Sequence, residues 1–563
     1  MKGIIQMENK RIAQSLRLLS QLMELHDENP FKIKSIANAA FKLDKLPFNI
    51  STKSLEELDQ IEGLGKSIAA KVLELVQSGS LKELENLLKK TPEGIVEMLQ
   101  IKGIGAKKIR TIWKDLHIEN CGELYYACHE NRLIEAKGFG LKTQEEIKKA
   151  IEFKMASTGR FLYARIENFT ETLIEKLQNI WHDAHIACVG AYRRRCEIID
   201  ALDILTTASF NDQTRVQLKD IGLTIIQQTA HQIECKNTEG LSVNLINCTI
   251  HHFGWKLIEH TGNADHVKEL TQLLNGKNLT NKTEQEIYQL AKIPFIEPEL
   301  REGVNEIELI KSKQNQKLIE FADLKGTLHN HSTWSDGVNT LEEMAIFCRD
   351  ELKLAYLGIC DHSKSAFYAN GLDEIRVAAQ QREIDELNKK LSPFYIFKGI
   401  ESDILFDGSL DYSNDILKTF DFVVASIHSV LKMSEEKATE RLIKAIENPF
   451  TTILGHPTGR LLLTRGGYPI NHQKVIDACA ANRVAIEINA NPLRLDLDWR
   501  WHQYAIEKGV MLSINPDAHR TGGLFDMRYG ILIARKGGVY PQNCLNTLTL
   551  DQIKTYFITK KGI

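Results

Sequence analysis

Apolar and polar residues alternate in three different ways along this chain. Residues 1–150 carry Leu and Ile at helical spacing among Lys and Glu, which predicts helices. From about residue 155, strand-like and helical runs are mixed. After a polar segment at residues 311–322, short apolar runs alternate with helical stretches, which is typical of parallel β/α units. We therefore expect a multidomain protein with an α-helical N-terminal region, an α+β body and a C-terminal β/α barrel.

A glycine pattern repeats within the helical region. It occurs in residues 61–75 (IEGLGKSIAAKVLEL), in residues 101–113 (IKGIGAKKIRTIW) and more loosely in residues 136–151 (AKGFGLKTQEEIKKAI). Each copy has Gly-x-Gly before a lysine-bearing helix, which is typical of a helix–hairpin–helix turn that presents backbone N–H groups to a phosphate. A single copy could be a helix ending in a glycine cap, but repeated copies favour DNA binding. The predicted DNA-binding residues are Gly63, Gly65, Lys66, Gly103, Gly105, Lys107 and Lys108.

The apolar runs of the last third mostly end in side chains that bind metals. The runs are GTLHNH, AYLGICDH, FYIFKGIESD, FDFVVASIH, TTILGHP, VAIEINA and GVMLSINPDAH. One histidine alone is more often structural, but in a β/α barrel the carboxyl ends of all strands surround one site. Mixed imidazole and carboxylate ligands suit Mn²⁺, Zn²⁺ or Fe²⁺. The candidate ligands are His329, His331, Asp336, His362, Glu401, His428, His456, Asp517 and His519.

The same motifs, HNH…SDG, CDHS, GIESD, SIHS, GHP and PDAH, resemble those of the PHP (polymerase and histidinol phosphatase) family over residues 323–563. The resemblance implies a (β/α)7 barrel with three divalent metal ions, Mn²⁺ or Zn²⁺ or possibly Fe²⁺. It also implies one site formed by His329, His331, Glu401 and Asp517, a second formed by Glu401, His428 and His456, and a third formed by Asp336, His362 and His519. Glu401 would bridge two ions at the catalytic centre, and Arg460 and Arg494, which follow strand ends, would clamp a phosphate.

The stretch HIACVGAYRRRCEIIDALDIL (His185–Leu205) resembles the signature of family X DNA polymerases. Gly190, Arg193 and Arg194 match the nucleotide-binding positions of that signature, and Asp203 matches one catalytic carboxylate. Two other catalytic aspartates of the family fall at Ala201 and Asn244. Two-metal nucleotidyl transfer needs several carboxylates, so we expect a retained fold whose polymerase activity is lost, although a misaligned strand would leave other carboxylates to serve.

The resemblance to family X polymerases also implies a possible lyase residue in the helical region. Lys71 stands where many relatives have a lyase lysine, which attacks a sugar aldehyde as a Schiff-base nucleophile. A lysine on a helix more often faces solvent, so both interpretations of Lys71 stay open.

Composition excludes some classes of protein. With 563 residues, 43% hydrophobic and a net charge of −3, the chain is typical of a globular protein without bulk basicity. Ten cysteines without CxxC spacing favour reduced thiols, and the N-terminus has no signal-peptide pattern. We expect a cytoplasmic monomer without membrane association.

The expected divisions are a helical domain at residues 1–90, a fingers-like region at 91–154, a palm-like region at 155–250, a thumb-like region at 251–310, a linker at 311–322 and the barrel at 323–563.

These features predict a DNA repair or processing enzyme. The expected activity, implied by the resemblance, is metal-dependent 3′→5′ exonuclease, with abasic-site cleavage or 3′-phosphate removal as further options. The expected partner is gapped, nicked or 3′-recessed duplex DNA. Three alternatives stay open: an active gap-filling polymerase with proofreading, a non-catalytic DNA-binding scaffold, and a small-molecule phosphatase.

Overall fold

The computed structural model describes residues 7–46, 48–61, 63–101, 103–134, 136, 138–156, 159–312 and 316–561. The chain divides into two compact units, Met1–Ile151 and Glu152–Ile563. In the described residues, no helix combines the length and the apolar character needed to cross a bilayer.

The first unit is helical, as its periodicity predicts. Its helices are α1 (Asn9–Leu25), α2 (Pro30–Leu43), α3 (Leu55–Asp59), α4 (Lys66–Ser78), α5 (Lys82–Lys90), α6 (Glu93–Met98), α7 (Ala106–Lys114), α8 (Cys121–His129) and α9 (Leu141–Ala156), the last of which continues past the boundary. Gly65 and Gly105 cap the amino ends of α4 and α7. Gly63 and Gly103, two residues earlier, have φ of +88° and +94°, a conformation that favours glycine. The glycine pattern therefore marks the turns that lead into these two helices.

The second unit begins with a mixed α/β body. Its elements are β1 (Phe161–Leu162), α10 (Tyr163–Ile180), β2 (Ile186–Val189), α11 (Gly190–Arg193), β3 (Ile198–Ile199), β4 (Ala201–Thr206), α12 (Asp212–Asp220), β5 (Thr224–Gln228), β6 (Gln232–Lys236) and β7 (Ser242–Asn247). Strands β2, β4, β7, β6 and β5 form one five-stranded sheet in that order, in which only β4 and β7 run parallel. Strands β1 and β3 form a separate antiparallel pair.

Helices follow this sheet and lead towards the barrel. They are α13 (Phe253–Thr261), α14 (Ala264–Leu274), α15 (Glu284–Leu290) and α16 (Glu306–Ser312). Residues 313–315 of the predicted linker lie outside the described residues. Later in that segment Leu318 and Ile319 are buried, and the Ile319 N–H donates to Val539 O over 3.0 Å, so this part of the segment packs against the barrel.

The C-terminal region is a parallel β/α barrel, which confirms the predicted fold class. Its elements are β8 (Gly326–Thr327), α17 (Leu341–Asp350), β9 (Tyr356–Ile359), α18 (Glu374–Leu391), β10 (Tyr395–Asp403), α19 (Asn414–Leu417), β11 (Phe422–Ser426), α20 (Glu435–Ile446), β12 (Ile453–Leu454), α21 (His472–Asn482), β13 (Ala485–Asn489), α22 (His502–Glu507), β14 (Leu512–Asn515), α23 (Met527–Lys536) and α24 (Leu550–Lys561). The seven strands pair in sequence order from β8 to β14. Strands β9, β11, β13 and β14 are buried along their whole length, as expected for a parallel sheet covered on both faces.

The two ends of the barrel differ. Helix α24 closes the end where the strands begin, and the Phe557 ring stacks on Phe422, the first residue of β11, with centroids 5.0 Å apart. The Phe557 ring also packs edge-to-face against Phe397, with centroids 5.2 Å apart. This apolar plug leaves the opposite end, where the strands finish, to carry the polar side chains.

Candidate metal centre and DNA-binding turns

The segment that follows β8 closes the barrel and places the first two candidate ligands. The Asp517 N–H donates to His329 O over 3.1 Å, and the His331 N–H donates to Ala518 O over 2.9 Å. This backbone ladder keeps residues 329–331 extended, so the two imidazoles point to the same side. Both rings are fully buried, with centroids 5.3 Å apart.

Glu401 lies at the middle of the histidine cluster. Its Oε1 is 3.1 Å from His456 Nε2, 3.2 Å from His428 Nε2 and 3.3 Å from His329 Nε2. Its Oε2 is 2.9 Å from His362 Nδ1. A carboxylate that meets imidazoles with both oxygens has the geometry expected of a bridge between two cations.

A neighbouring group surrounds Asp336. Its Oδ1 is 3.3 Å from His519 Nε2 and 3.9 Å from His331 Nδ1, and its Oδ2 is 3.6 Å from His362 Nε2. Asp517 Oδ1 lies 3.1 Å from the other nitrogen of His331. His331 therefore lies between Asp336 and Asp517, with one ring nitrogen facing each carboxylate.

Among the residues that the structure describes, three groups have ligand atoms within 4.8 Å of one another: His331, Asp336, His362 and His519; His329, His331 and Glu401; and His362, Glu401 and His428. His331 and His362 each belong to two of these groups. The pairwise geometry therefore allows more ligand sharing than the assignment implied by the resemblance.

The electrostatics of the centre fit divalent cations. Burial, together with His519 and His362, lowers the pKa of His331 to about 3, so this imidazole is neutral and keeps a lone pair. Burial opposes charge on Glu401, but His428, His329 and His362 hold the pKa of that carboxyl well below its usual range. Asp336 Oδ2 is buried and, in the part of the chain that the structure describes, makes no hydrogen bond. The neutral imidazole of His331 beside buried carboxylates with unused acceptor capacity forms part of a suitable donor set for Mn²⁺ or Zn²⁺.

The sequence reasoning missed three buried carboxylates that hold this centre in shape. Asp361 accepts from Ser332 N and from both hydroxyls of Ser332 and Ser335, and so folds the turn that brings Asp336 inward. Asp403 and Glu487 contact ligand histidines directly. A signal was present, because each is an acidic residue inside or directly after an apolar run, where a charge requires partners.

The two arginines expected to clamp phosphate have different surroundings. Arg494 is buried, and its Nε lies 3.8 Å from Oδ2 of the ligand candidate Asp517. Arg460 donates to Arg494 O over 2.8 Å and to Asp498 Oδ2 over 2.6 Å. Arg460 therefore ties loops together, whereas Arg494 places positive charge at the edge of the metal centre.

In the α+β body, Asp203 lies alone among the expected carboxylates. Asn244 Nδ2 donates to its Oδ1 over 2.8 Å, and burial raises the pKa of Asp203. Gly190 has φ of +62°, and a Cβ there would approach Asp203 Oδ2 to 2.5 Å, so the position favours glycine.

The arginines that match nucleotide-binding positions are engaged in ion pairs. Arg193 forms a bidentate pair with Glu284, with distances of 3.0 and 2.5 Å. Arg194 Nε donates to Glu302 Oε1 over 2.9 Å, and the buried Lys536 of α23 bonds to the same carboxylate. The barrel helix is thus joined to the body through Glu302.

Three of the four predicted DNA-binding glycines of the first unit leave backbone open for a ligand, whereas a Cβ on Gly63 would approach Lys42 Nζ to 2.6 Å. A Cβ on Gly65, Gly103 or Gly105 would meet nothing within 4 Å. Lys66 and Lys107 are exposed beside these turns and Lys108 is half-buried. Lys71 is instead bonded to Glu83, which also pairs with Lys32 at 2.5 Å.

Comparisons with known proteins match the helical first unit to helix–hairpin–helix families and part of the chain to proteins named probable phosphatases. Residues 7–81 match the family described as helix-hairpin-helix domain, and residues 55–117 and 94–152 match the SAM-like helix-hairpin-helix tandem. A protein named probable phosphatase from Thermoanaerobacter sp. (strain X514) is 31% identical over 185 residues, covering 31% of this chain and 73% of its own. Another, from Clostridium botulinum, is 29% identical over 170 residues, covering 29% of this chain and 63% of its own.

One relative aligns along almost the entire chain. It is the DNA polymerase/3′-5′ exonuclease PolX of Bacillus subtilis (strain 168), which is 34% identical over 573 residues, covering 98% of this chain and 99% of its own. The chain therefore belongs to the PolX family, in which a family X DNA polymerase is joined to a PHP barrel.

Proposed function

We propose that this protein is a DNA-processing enzyme whose barrel hydrolyses phosphodiester bonds from the 3′ end with bound divalent metal ions. The observation that carries the proposal is the buried cluster centred on Glu401, whose two oxygens meet imidazoles from four other strand ends. The name of the Bacillus subtilis relative, a DNA polymerase/3′-5′ exonuclease, supports the 3′→5′ direction. Abasic-site cleavage and 3′-phosphate removal use the same chemistry and are the finer options.

The side chains would share the work as follows. The ligands we propose are His329, His331, Asp336, His362, Glu401, His428, His456, Asp517 and His519, and three ions of Mn²⁺, Zn²⁺ or Fe²⁺ would occupy them. When bound, such ions supply the positive charge that activates water and polarises a phosphodiester. Glu401 would hold two ligand groups at a fixed separation, and Arg494 would place a permanent cation beside the phosphate.

The remaining regions would bind the substrate. The backbone of the turns at Gly63, Gly65, Gly103 and Gly105, with Lys66, Lys107 and Lys108, would hold DNA phosphates without reading sequence. We propose gapped, nicked or 3′-recessed duplex as the substrate, a monomeric enzyme and a cytoplasmic location. We also propose that polymerase activity is lost, because Asp203 pairs with an amide rather than with a second carboxylate. A lyase role for Lys71 requires release of its ammonium group from Glu83.

One assay tests the activity. A 5′-labelled, 3′-recessed primer on a gapped duplex is incubated with Mn²⁺, Zn²⁺ or Mg²⁺, with and without dNTPs. We expect Mn²⁺- or Zn²⁺-dependent shortening from the 3′ end and no extension. The matched variant is His329→Ala/His331→Ala, which keeps the first unit intact. DNA binding without shortening by either protein would favour the scaffold hypothesis instead.

A further inference from the structure

Glu487 is a fully buried carboxylate on β13 that is surrounded by hydrogen-bond donors from the metal centre. Its Oε1 accepts from His329 Nδ1 over 2.7 Å and from Asn515 Nδ2 over 3.1 Å. Its Oε2 accepts from the His456 backbone N–H over 2.8 Å and from Asn489 Nδ2 over 3.3 Å. Both oxygens are thus occupied by the protein itself, which distinguishes Glu487 from the candidate ligand Glu401.

These contacts determine which nitrogen of His329 carries the proton. An ionised carboxylate only accepts hydrogen bonds, so Nδ1 of His329 is the donor. A ring that binds a metal must give up one proton, and because Nδ1–H is held by Glu487 the free lone pair is then on Nε2, which lies 3.3 Å from Glu401 Oε1 and 3.6 Å from Asp517 Oδ1. Metal-binding histidines are held in this way by an outer carboxylate or carbonyl, which also makes the ring a stronger ligand.

Asp403 has the same relationship to a second histidine on the other side of Glu401. Its Oδ1 accepts from His428 Nδ1 over 2.5 Å, and Nε2 of that ring lies 3.2 Å from Glu401 Oε1. His456 differs, because its Nδ1 has no hydrogen-bond partner among the described residues. The outer support is therefore given to particular histidines and not to every ring of the cluster.

Glu487 reaches further than Asp403. Besides His329 it holds the backbone of His456, and Asn489 connects it to a third candidate ligand by donating to Asp517 Oδ2 over 3.2 Å. One side chain that binds no metal thus connects ligands that follow three different strands.

We propose that Glu487 and Asp403 are positioning residues that fix the metal-binding tautomers of His329 and His428. Of the two, Glu487 has the larger effect on metal binding. The proposal rests on the proposed function only in that the cluster binds divalent cations. It concerns how the chain prepares the site and requires no particular DNA substrate.

The isosteric amide distinguishes tautomer control from simple loss of charge. Glu487→Gln cannot satisfy all four donors, because its NH₂ group must face either the Asn515 and His329 side or the His456 backbone N–H. When the NH₂ faces His329, Nδ1 becomes the acceptor and Nε2 carries the proton, so it cannot bind a metal. When the NH₂ faces His456, a buried N–H loses its acceptor and the ligand loop shifts.

Asp403→Asn is predicted to be milder. The amide oxygen can remain towards His428, because the other oxygen of Asp403 accepts from the Ser365 hydroxyl over 3.0 Å. That hydroxyl can rotate and accept from the new NH₂ group. His428 then keeps its tautomer but has a neutral and weaker partner.

Asp496→Asn is the matched control. Asp496 is fully buried on the same end of the barrel, and its Oδ2 accepts from Thr458 N and from Thr458 Oγ1, each over 2.8 Å. An amide oxygen can keep both bonds. All three variants remove one buried negative charge, so a role based on charge alone predicts three similar effects.

The experiment titrates metal-free protein with Mn²⁺ and follows free Mn²⁺ by electron paramagnetic resonance, with bound metal counted by mass spectrometry. We expect Glu487→Gln to weaken Mn²⁺ binding by about 10–100-fold, Asp403→Asn by less, and Asp496→Asn to match the wild type. In Zn²⁺-loaded protein labelled with ¹⁵N-histidine, the Nδ1–H signal of His329, assigned with a His329→Gln variant, should be unchanged in Asp496→Asn and shifted or lost in Glu487→Gln.

Two results would separate the hypotheses. Equal Mn²⁺ affinity in the wild type and in Glu487→Gln, or equal losses in all three variants, would overturn this inference and leave the proposed function standing. Failure of the wild type to bind Mn²⁺ or Zn²⁺ would overturn the proposed function itself. If Glu487→Gln does not fold by circular dichroism, Asp403→Asn against Asp496→Asn tests whether an outer carboxylate strengthens metal binding by the other histidine, and equal Mn²⁺ affinity of these two variants would overturn the inference.

Discussion

Asn244 Nδ2 donates a 2.8 Å hydrogen bond to Asp203 Oδ1 across the parallel strands β4 and β7. The two residues are direct partners in this register, so the amide stands where a second carboxylate would face Asp203. Ala201, on the same face of β4 two residues earlier, contributes a methyl group. A neutral amide and a methyl group do not replace the negative charge that holds two cations in a nucleotidyl transferase.

Restoring those charges is predicted to restore polymerase chemistry. Ala201→Asp/Asn244→Asp places carboxylates beside Asp203 on two adjacent strands. We expect the wild type to add no dNTP to a gapped duplex and the double variant to add a measurable amount with Mn²⁺. The triple variant that also carries Asp203→Ala is the control and should be inactive. Extension by the wild type that disappears in Asp203→Ala would show that the polymerase is active after all.

The centre of the barrel is predicted to depend on Glu401 far more than on the body. Glu401→Gln removes a negative charge that faces four imidazoles, so we expect 3′→5′ exonuclease activity to fall by more than about 100-fold, beyond the effect typical of residues that merely support ligands. Asp203→Ala should leave the exonuclease rate within about twofold, since it is not part of the cluster. Both are measured as nucleotide release from a labelled primer, with DNA affinity checked separately. Full activity of Glu401→Gln would remove Glu401 from the reaction.

The glycine turns allow stability to be separated from DNA binding. Gly103 has φ of +94°, so Gly103→Ala is expected to lower the free energy of unfolding of the first unit by about 1–2 kcal/mol. Gly105 has φ of −82° and open space around it, so Gly105→Ala should fold normally. The added methyl group nevertheless stands where a phosphate would approach the backbone, and we expect weaker DNA binding by fluorescence anisotropy. Unchanged affinity in Gly105→Ala would argue against phosphate binding at this turn.

Neutralising Lys107 and Lys108 is predicted to change the salt dependence of DNA binding. The double variant Lys107→Ala/Lys108→Ala loses two cations beside one turn, so the slope of log affinity against log salt should become shallower by up to about two. Lys71→Ala is the comparison, because Lys71 already pairs with Glu83. An equal change of slope in both variants would contradict the assignment of Lys107 and Lys108.

Glu284 is predicted to be a major source of stability in the second unit. It pairs with Arg193 and with the fully buried Arg301, whose Nη1 lies 2.6 Å from Glu284 Oε1. Glu284→Gln leaves two guanidinium groups without a counter-charge and should cost about 3 kcal/mol. The measurement is chemical unfolding, and Glu269→Gln, at an exposed position, is the control with an expected change near zero.

The ion pairs of Glu284 with Arg193 and Arg301 give the stability of the second unit a predictable pH dependence. Burial opposes charge on Glu284, but Arg193 and Arg301 hold the pKa of that carboxyl below its ordinary value of 4.5. A lowered pKa in the folded state contributes stability that is complete above the ordinary value and is lost as the pH falls through the folded value. The difference between wild type and Glu284→Gln should therefore be largest above about pH 5 and shrink below pH 4.5. A difference that grows with falling pH would contradict the ion pairs.

The sequence by itself determined the element types and the chemistry at the strand ends. Helical spacing, glycine pairs and apolar runs are local patterns, and so is a histidine or carboxylate that follows a strand, so the sequence alone identifies His329, Glu401 and Asp517 as candidate ligands. The fold class followed from the alternation of strands and helices.

Only the tertiary structure decided which of these groups meet. Glu487 contacts His329 across 158 positions of sequence, and the distance between them depends on how the barrel closes at Asn330 and Ala518. Arg460 and Arg494 both follow strand ends in the sequence. In the structure, Arg460 donates to the backbone of Arg494, whereas Arg494 lies beside Asp517. The physical reason is that side-chain chemistry is a local property, whereas ligand sharing, tautomer and pairing depend on distances of a few ångströms that packing sets.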